Sequence, residues 1–357
     1  MQVLIKRIAT FSKLEKRYFI DTMFDSGEDA VNDLVGTLKR YQPQQREAFI
    51  KAMPEGYGKW ISDQLEKAAA ADDKTVARVE HRIIAALKAV PLRVKKAERN
   101  MTTVNKQVKN NRRLLRSGFA MLDDVISDQQ RGKPRPPVQR PYPKGGAVAE
   151  LPKPDKSVVL KGDIYDLIDQ RRSRRKFTDQ PLSLAELSYL LWATQGVRKL
   201  SDDRRQSMRT VPSAGSMHPF ETYVAIHNVD GVKPGFYRYQ AADHKLAFLR
   251  EIKNQREAVA EACFGQKFAG HCAATFIWTA VPYKTEWRYV TESAKLILLD
   301  AGHVCQNFYL ACESIGCGTC AIGAYDQDKI DRLLRVDGRN ELAVYIAPVG
   351  RVAVEKG

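Results

Sequence analysis

The chain is divided by a proline-rich run that cannot continue a helix or enter the middle of a sheet. Residues 131–156 (RGKPRPPVQRPYPKGGAVAELPKPDK) contain seven of the sixteen prolines. Proline fixes the backbone angle φ and has no N–H to donate, so such a run favours extended polyproline II backbone and acts as a semi-rigid spacer. The sequence therefore predicts a domain over 1–130, a linker over 131–156 and a second domain over 157–357.

The first of these regions has the periodicity of an all-α domain. Apolar residues recur at helical spacing over 72–90 and 101–128, which is typical of helices with one apolar face. No β-rich segment interrupts this pattern. Shorter helices are predicted over 2–24, 27–41, 43–52 and 58–70, with breaks at Pro43, Pro54 and Pro91.

Much of the positive charge of the chain lies in this region. The formal net charge is +16, and residues 1–150 contribute +11 of it. Residues 88–116 hold ten Lys or Arg and one acid, Glu98. Such a run indicates either a surface for nucleic acid or another anionic partner, or a solvated helix face. No helix-turn-helix, zinc-finger or RNA-binding signature accompanies it, which disfavours nucleic acid.

The second region mixes helices and strands without regular βαβ alternation, which predicts an α+β fold. Ser183 with Glu186 three residues later forms a capping box that begins a helix. The predicted strands cover 221–228, 235–240, 245–250, 274–281 and 343–350, and the predicted helices cover 163–172, 183–195 and 286–314.

The sequence also limits where the protein works. No apolar stretch reaches the ~20 residues that span a bilayer, and basic residues interrupt the apolar ones at the start of the chain. We therefore expect a cytoplasmic protein with no membrane span and six reduced cysteines. Cys317 and Cys320 form a C-x-x-C, but the chain has no second pair at zinc spacing, so no metal site is predicted.

Two segments of the second region have the composition of ligand-binding loops. Residues 171–177 (RRSRRKF) place five basic side chains and a hydroxyl within seven positions, and guanidinium groups match phosphate oxygens in pairs. Residues 211–219 (VPSAGSMHP) are small and turn-forming, which allows backbone amides to approach a planar ligand. Each segment could equally be an exposed loop on composition alone.

These segments, together with LSLAELSYLLWATQGV, DAGHVCQNFYLACESIGCGTCAIGAY and YIAPVGR, occur in the order found in the nitroreductase superfamily. Within it the chain resembles the SagB-type dehydrogenases, the branch that includes the azoline-oxidising enzymes of thiazole and oxazole peptide maturation. The resemblance covers about residues 148–357. It implies an FMN-binding fold with a central, mainly antiparallel sheet flanked by helices, and an interleaved homodimer. The all-α region before it is not covered.

The resemblance also implies which residues hold FMN. The RRS-x-R motif would bind the phosphate and ribityl chain, the PSAG segment would lie against the isoalloxazine, and two backbone amides would approach flavin N5 and O4. A basic residue after the last strand would complete the phosphate site, and the long helix would contribute an amide near the flavin or the dimer partner. The phosphate and ribityl residues are Arg171, Arg172, Ser173 and Arg175, and the ring-binding residues are Pro212, Ser213, Ala214 and Gly215. The amides near N5 and O4 are those of Ile322 and Gly323, the basic residue after the last strand is Arg351, and the amide of the long helix is Asn307.

One departure from the azoline-oxidising branch affects the expected chemistry. Those enzymes tend to carry Trp-Lys-Tyr where this chain has Trp287-Arg288-Tyr289. Arginine stays protonated near neutral pH and cannot accept a proton as lysine can. We therefore expect Tyr289 to act as a proton donor and Arg288 to bind a substrate carboxylate, with an ordinary interface ion pair as the alternative for both.

Three functions remain open from the sequence. The first is an FMN-dependent oxidoreductase that transfers hydride through flavin N5, reduced either by NAD(P)H or by its substrate with oxygen as oxidant. The second is a peptide-tailoring dehydrogenase whose N-terminal helices bind a peptide or a protein partner. The third is a flavin-binding scaffold whose basic helices contact nucleic acid.

Overall fold

A computed structural model describes residues 2–24, 28–54 and 56–353. Contacts between Cα atoms divide the chain into two compact units, Met1–Arg113 and Leu114–Gly357. The division falls before the predicted boundary at 130, so residues 114–130 group with the second unit. No helix within the described ranges is long and apolar enough to cross a membrane.

The first unit is entirely helical in its described residues, as predicted. Ser12 separates the first two helices with a capping box, in which its hydroxyl accepts from the Glu15 N–H and the Glu15 carboxylate accepts from the Ser12 N–H. Each helix contributes apolar side chains to one buried core. The helices are α1 (Gln2–Ala9), α2 (Lys13–Met23), α3 (Glu28–Lys39), α4 (Pro43–Ala52), α5 (Tyr57–Leu65) and α6 (Asp73–Asn111).

Helix α6 corrects two predictions. It runs through Pro91, where a break was predicted, and it ends at Asn111, so the predicted helix over 101–128 is confirmed as far as Asn111 and wrong beyond it. A proline inside a helix costs about 3 kcal/mol. The buried side chains of Val79, Ile83 and Val90 anchor the first half of α6 in the core and offset this cost. Residues 98–117 are all exposed, so the part of α6 after Ala97 contributes nothing to the core.

The second unit is built on a seven-stranded sheet in which every pair of neighbouring strands is antiparallel. The predicted hairpin between 235 and 250 is present. The sheet has the order β1-β6-β5-β4-β7-β9-β8. Its strands are β1 (Val148–Glu150), β4 (Phe220–Ile226), β5 (Gly235–Gln240), β6 (Lys245–Arg250), β7 (Ala274–Ala280), β8 (Cys317–Thr319) and β9 (Leu342–Arg351), and a separate ribbon pairs β2 (Val197–Leu200) with β3 (Ser207–Arg209).

Helices cover both faces of this sheet, which makes the second unit a three-layer α+β fold. Along β4, Val224 belongs to the core shared with α8 and α11, whereas Tyr223 and Ala225 belong to the core shared with α9 and α12. Along β7, Phe276 and Ile277 alternate in the same way. The helices are α7 (Ile164–Gln170), α8 (Leu184–Gln195), α9 (Gln255–Ala262), α10 (Tyr283–Tyr289), α11 (Ser293–Ser314) and α12 (Gln327–Leu334).

The single helix predicted over 286–314 is interrupted. Val290 has a φ of 45° and ends α10, and a short turn leads into α11. A positive φ is unfavourable for a β-branched residue, so packing around this position must enforce it. The interruption places Arg288 and Tyr289 at the end of a short helix instead of in the middle of a long one.

The proline-rich run, predicted as a linker, belongs to the second unit over residues 131–147, a segment called here the strap. Residues 133–143 of the strap belong to no helix or strand, which leaves most of their carbonyls free to accept from side chains. Arg140 also forms an ion pair with the buried Glu341. The bonds to strap carbonyls come from Trp287 to Lys133 (3.0 Å), Arg209 to Val138 (2.9 Å), Lys284 to Val138 (3.2 Å), and from Arg205 to Arg135 and Arg238 to Pro141.

Candidate active site

The basic segment after α7 lines a cavity of about 690 Å³. The segment is held against the edge of the sheet, because the Arg174 N–H donates to the Thr319 carbonyl at 2.9 Å. Five cationic side chains and a single carboxylate, Glu313, line the cavity, so its charge favours an anion. The lining residues are Lys161, Gln170, Arg172, Ser173, Arg174, Arg175, Lys176, Glu313, Val352 and Ala353.

Tyr309 on α11 connects this segment to the one that follows β8. Its hydroxyl lies 3.0 Å from Ser173 Oγ and accepts from the Ala321 N–H at 2.8 Å. The Arg171 guanidinium lies 5.2 Å from the centre of the Tyr309 ring. Three chain segments therefore meet at Tyr309, a residue that the sequence analysis did not select although it lies within the helical motif that carried the resemblance.

The predicted PSAG loop is held by Asp300 on α11. The Ser213 hydroxyl donates to Asp300 Oδ2 at 2.5 Å, and the Ala214 N–H donates to Asp300 Oδ1 at 3.1 Å. Burial raises the pKa of Asp300, while these two hydrogen bonds act in the opposite direction. Asp300 was also missed by the sequence analysis, although an acid in a helix otherwise rich in apolar residues is a signal for a buried role.

Gly215 brings the PSAG loop against the Trp-Arg-Tyr motif. Its φ is +54°, and a Cβ at this position would lie 2.5 Å from the Tyr289 hydroxyl and 3.1 Å from Arg288 Nη1. Only glycine fits such a close approach at a positive φ. The Arg288 guanidinium lies 5.3 Å from the centre of the Tyr289 ring, whose edge contacts Phe119. Both predicted catalytic residues thus adjoin the predicted ring-binding loop.

Three predicted cofactor residues use their polar groups within the protein. The Ile322 N–H donates to the Ile346 carbonyl at 2.7 Å, whereas Gly323 lies exposed at the next position. The Asn307 side chain donates to the Ala193 carbonyl at 2.9 Å. The Arg351 guanidinium pairs with Glu186 on α8 and donates to the Ile315 carbonyl, so the structure does not bring it among the residues that line the cavity.

A buried basic cluster lies beneath the PSAG loop and was not predicted. His218, Arg209 and Lys284 are each about 95% buried or more. Lys284 donates to Glu221 at 2.7 Å. Burial, together with the charges of Arg209 and Arg135, lowers the pKa of His218 to about 3. His218 is therefore neutral near pH 7 and does not serve as a general acid there.

The described residues contain no group of side chains that could hold a metal ion, and all six cysteines are free and buried. Burial raises the pKa of Cys317 to about 12. Its thiol therefore stays protonated at neutral pH, which makes it a poor nucleophile and a poor metal ligand.

This arrangement of sheet, loop and basic segment belongs to a known class. Residues 168–351, just over half of the chain, match the nitroreductase family, and the chain is a member of that family. The helical residues before Leu114 lie outside the match.

Three relatives give more detail. A protein of Methanocaldococcus jannaschii named nitroreductase MJ1384 is 32% identical over 206 residues, which cover 58% of this chain and 98% of that protein. The trifolitoxin operon protein TfxC of Rhizobium leguminosarum bv. trifolii is 25% identical over 245 residues, 65% of each chain. The trifolitoxin-processing protein TfxB of the same organism is 25% identical over 133 residues, 36% of each chain. The chain thus spans less than two thirds of either Rhizobium protein.

Proposed function

We propose that this member of the nitroreductase family is an FMN-dependent oxidoreductase that transfers hydride through flavin N5. The observation that carries the proposal is the cavity beside residues 171–176, where cationic side chains outnumber carboxylates. A flavin phosphate is an anion with several acceptor oxygens, and arginine binds such groups through paired, charge-assisted hydrogen bonds.

The residues at this site suit the cofactor in charge and in hydrogen-bonding capacity. Arg172, Arg175 and Lys176 have no carboxylate of a described residue within 4 Å, so their charges are available to a phosphate. The Thr319 hydroxyl, at the end of β8 beside Ser173, is buried and makes no hydrogen bond to any described residue. Such a group gains a partner when a polar ligand binds.

The proposed roles of the other residues follow from their contacts. Pro212, Ser213, Ala214 and Gly215 would lie against the ring system, since Asp300 holds this loop in place. The ion pair of Arg351 with Glu186 fixes the end of β9, immediately before two residues that line the cavity. Arg351 would then support the phosphate site indirectly.

When bound, FMN supplies hydride transfer between a reductant and an acceptor. The chain itself orients the substrate and moves protons. The Tyr289 hydroxyl adjoins Gly215, and in this proposal it would donate a proton to a substrate at the PSAG loop. Arg288 keeps its charge at neutral pH, so it binds and orients without exchanging a proton.

The absorbance spectrum of the purified protein tests the proposal. We expect a visible flavin band, or its appearance with added FMN, and bleaching of the band by NADH or NADPH without oxygen if nicotinamide is the reductant. Replacing Arg175→Gln is expected to raise the Kd for FMN about tenfold or more, because a charged hydrogen bond is worth ~1.5–3 kcal/mol. Arg198→Gln, an exposed arginine on β2, is the matched control. A protein that stays colourless with FMN, or equal affinity in both variants, would contradict the proposal.

Helix α11 supports the expected homodimer. Leu298 and Leu299 are 58% and 53% exposed on this helix, which is buried along its other side, and adjacent exposed leucines are typical of an interface between subunits. Light scattering on the purified protein measures the mass directly. A mass of one chain across the working concentration range would remove the homodimer from the proposal.

A second function, oxidation of a peptide, is supported by an observation in the first unit. Ile20, Phe24, Tyr57 and Trp60 line a cavity of about 650 Å³ there, and Tyr57 and Trp60 are 44% and 38% exposed. Exposed aromatic side chains in a concave apolar surface are typical of peptide-binding sites. Two of the relatives are named for the trifolitoxin operon and for trifolitoxin processing, and a role in processing a larger molecule is in keeping with such a surface.

Mass spectrometry of thiazoline-containing peptides tests this second function, because oxidation of each ring removes two hydrogen atoms. If the first unit binds the peptide, Trp60→Ala should raise KM for long peptides at least several-fold and leave a dipeptide-sized substrate unaffected. Leu92→Ala removes a side chain that is 71% exposed on α6 and serves as the control. Equal KM values for long and short substrates in Trp60→Ala would count against a peptide role for this groove.

A further inference from the structure

The strap holds one of its arginines at the candidate active site. Arg135 is fixed from both sides: its carbonyl accepts from Arg205, and its guanidinium donates to the Ser216 carbonyl of the PSAG loop. The preceding part of the strap is tied to α10, since the Trp287 indole donates to the Lys133 carbonyl at 3.0 Å and the Gln129 N–H donates to the Trp287 carbonyl at 2.9 Å. The position of Arg135 therefore depends on several independent contacts of the strap.

A second guanidinium approaches the same loop from α10. Arg288 Nη1 is 3.1 Å from the point where a Gly215 Cβ would lie, one residue from the carbonyl that Arg135 binds. Burial lowers the pKa of Arg135, and the charge of Arg288 lowers it further, which means that the two guanidinium charges repel each other. Both remain charged at neutral pH, because arginine does not lose its proton there.

The protein provides no carboxylate between them. No Asp or Glu of the described residues lies within 4 Å of the Arg135 or Arg288 guanidinium. Asp203 is the acid whose charge reaches Arg135, and it is already bonded to the Ser201 hydroxyl and the Arg205 N–H. Arg135 is partly buried and Arg288 is exposed, and the repulsion between their like charges, without a counter-ion, costs free energy in the absence of a ligand. An anion between them would recover that cost.

We propose that Arg135 and Arg288, together with the backbone at residues 215 and 216, form a subsite for a carboxylate group of the substrate. The inference rests on the proposed oxidoreductase function and adds the substrate class. Two guanidinium groups that converge from different elements favour a planar oxyanion over a neutral amide of the same shape. Arg135 lies outside the 168–351 segment that matches the family, so the strap adds this specificity to the family fold.

A matched pair of substrates tests the proposal. 4-Nitrobenzoate and 4-nitrobenzamide differ by one charge and are both reducible by a flavin enzyme, with NADH or NADPH as the source of hydride. We expect wild-type protein to favour the carboxylate in kcat/KM, and Arg135→Gln and Arg288→Gln each to lower that preference about tenfold or more, since each variant loses a charge-assisted hydrogen bond to the carboxylate. Arg135→Lys should restore part of it. Arg131→Gln, an exposed arginine at the start of the strap, should leave the preference unchanged.

Other outcomes overturn the proposal in distinguishable ways. If both substrates lose turnover equally in Arg135→Gln, the residue only supports the loop. If the variants raise the Kd for FMN or the KM for the nicotinamide instead, the anion is a cofactor phosphate. If wild-type protein shows no preference, the subsite does not exist.

A binding measurement separates this inference from the proposed function. Calorimetric titration with benzoate and with benzamide requires no turnover and can be done with or without FMN. Wild-type protein should bind benzoate more tightly than benzamide, and Arg135→Gln should remove the difference. A protein that never binds FMN would end the oxidoreductase proposal, while equal binding of benzoate and benzamide would end the carboxylate subsite.

Discussion

Two strongly basic regions of this chain use their charge in opposite ways. The ten basic side chains of residues 88–116 are all exposed, and the part of α6 after Ala97 has no buried side chain. Around the strap, in contrast, Arg209 and Lys284 are almost fully buried and Arg135 is partly buried. Exposed cations are screened by water and salt, whereas buried ones must be compensated and shift the pKa of their neighbours. Local charge density in the sequence is therefore a weak guide to where charge affects chemistry.

The largest effect is expected where a buried ion pair is broken. Lys284→Ala leaves the Glu221 carboxylate buried without its cation, which should lower the free energy of unfolding by about 3–5 kcal/mol. Urea denaturation measures the change. The double replacement Lys284→Met with Glu221→Leu should recover most of the loss. A double variant as unstable as the single one would show that the strap carbonyls, and not the charge pair, dominate at this point.

A substitution in the PSAG loop should lower stability less than Lys284→Ala does, but it should lower activity strongly. Gly215→Ala places a Cβ 2.5 Å from the Tyr289 hydroxyl. We expect a stability loss of ~1–3 kcal/mol from the positive φ and the overlap, and a fall in kcat/KM of about 100-fold from displacement of Tyr289. Gly231 has a similar φ of +73°, but the Cβ that Gly231→Ala adds would have no atom within 4 Å. This control isolates backbone strain, so an equal loss of activity in both variants would rule out the Tyr289 contact as the cause.

Buried histidines should make the protein less stable in mild acid. Burial lowers the pKa of His227 to about 3 from the ordinary 6.5, as it does for His218. The unfolded chain then binds more protons than the folded one between these values. The free energy of unfolding is greatest above pH 6.5 and falls as the pH is lowered, by up to about 1.4 kcal/mol per pH unit for each histidine.

Urea denaturation from pH 7 to pH 5 tests this dependence. His227→Gln should flatten the decline, while replacement of the exposed His303 with Gln should not. An unchanged slope in His227→Gln would show that this histidine is protonated without unfolding.

The smallest effect is expected in the exposed basic region. Replacing Lys106→Gln and Lys109→Gln together should change the free energy of unfolding by no more than about 0.5 kcal/mol, because both side chains are solvated. Urea denaturation measures the change, and kcat/KM for 4-nitrobenzoate should remain that of the wild type. A loss of more than about 1 kcal/mol, or a fall in turnover, would mean that this surface has a partner within the protein.

Features set by neighbouring residues were predictable from the sequence. The Ser183–Glu186 capping box, the hairpin between 235 and 250 and the strand over 274–280 all depend on residues within a few positions of each other. The basic segment and the PSAG loop were also found, because each is a continuous motif. The site itself required the fold, since Gly215 and Tyr289 meet across more than seventy positions.

Features set by distant contacts were not predictable. A proline-rich run has the same composition whether it lies in solvent or against a sheet, and only the donors of other elements, such as Arg209 and Trp287, decide between the two. The positive φ at Val290 and the continuation of α6 through Pro91 could not be predicted for the same reason, because tertiary packing there overrides a local preference. Arg351 was selected because the resemblance implies a basic residue after the last strand, and its pairing with Glu186 could not be read from either segment.

The strap has a further consequence for the order in which the molecule assembles. Arg140 pairs with Glu341, 201 positions later in the chain, and Lys133 accepts from Trp287, 154 positions later. During synthesis these partners do not exist until most of the second unit has been made, and closing such long loops is slow. The strap is therefore among the first parts of its unit to leave the ribosome and among the last to be fixed in place.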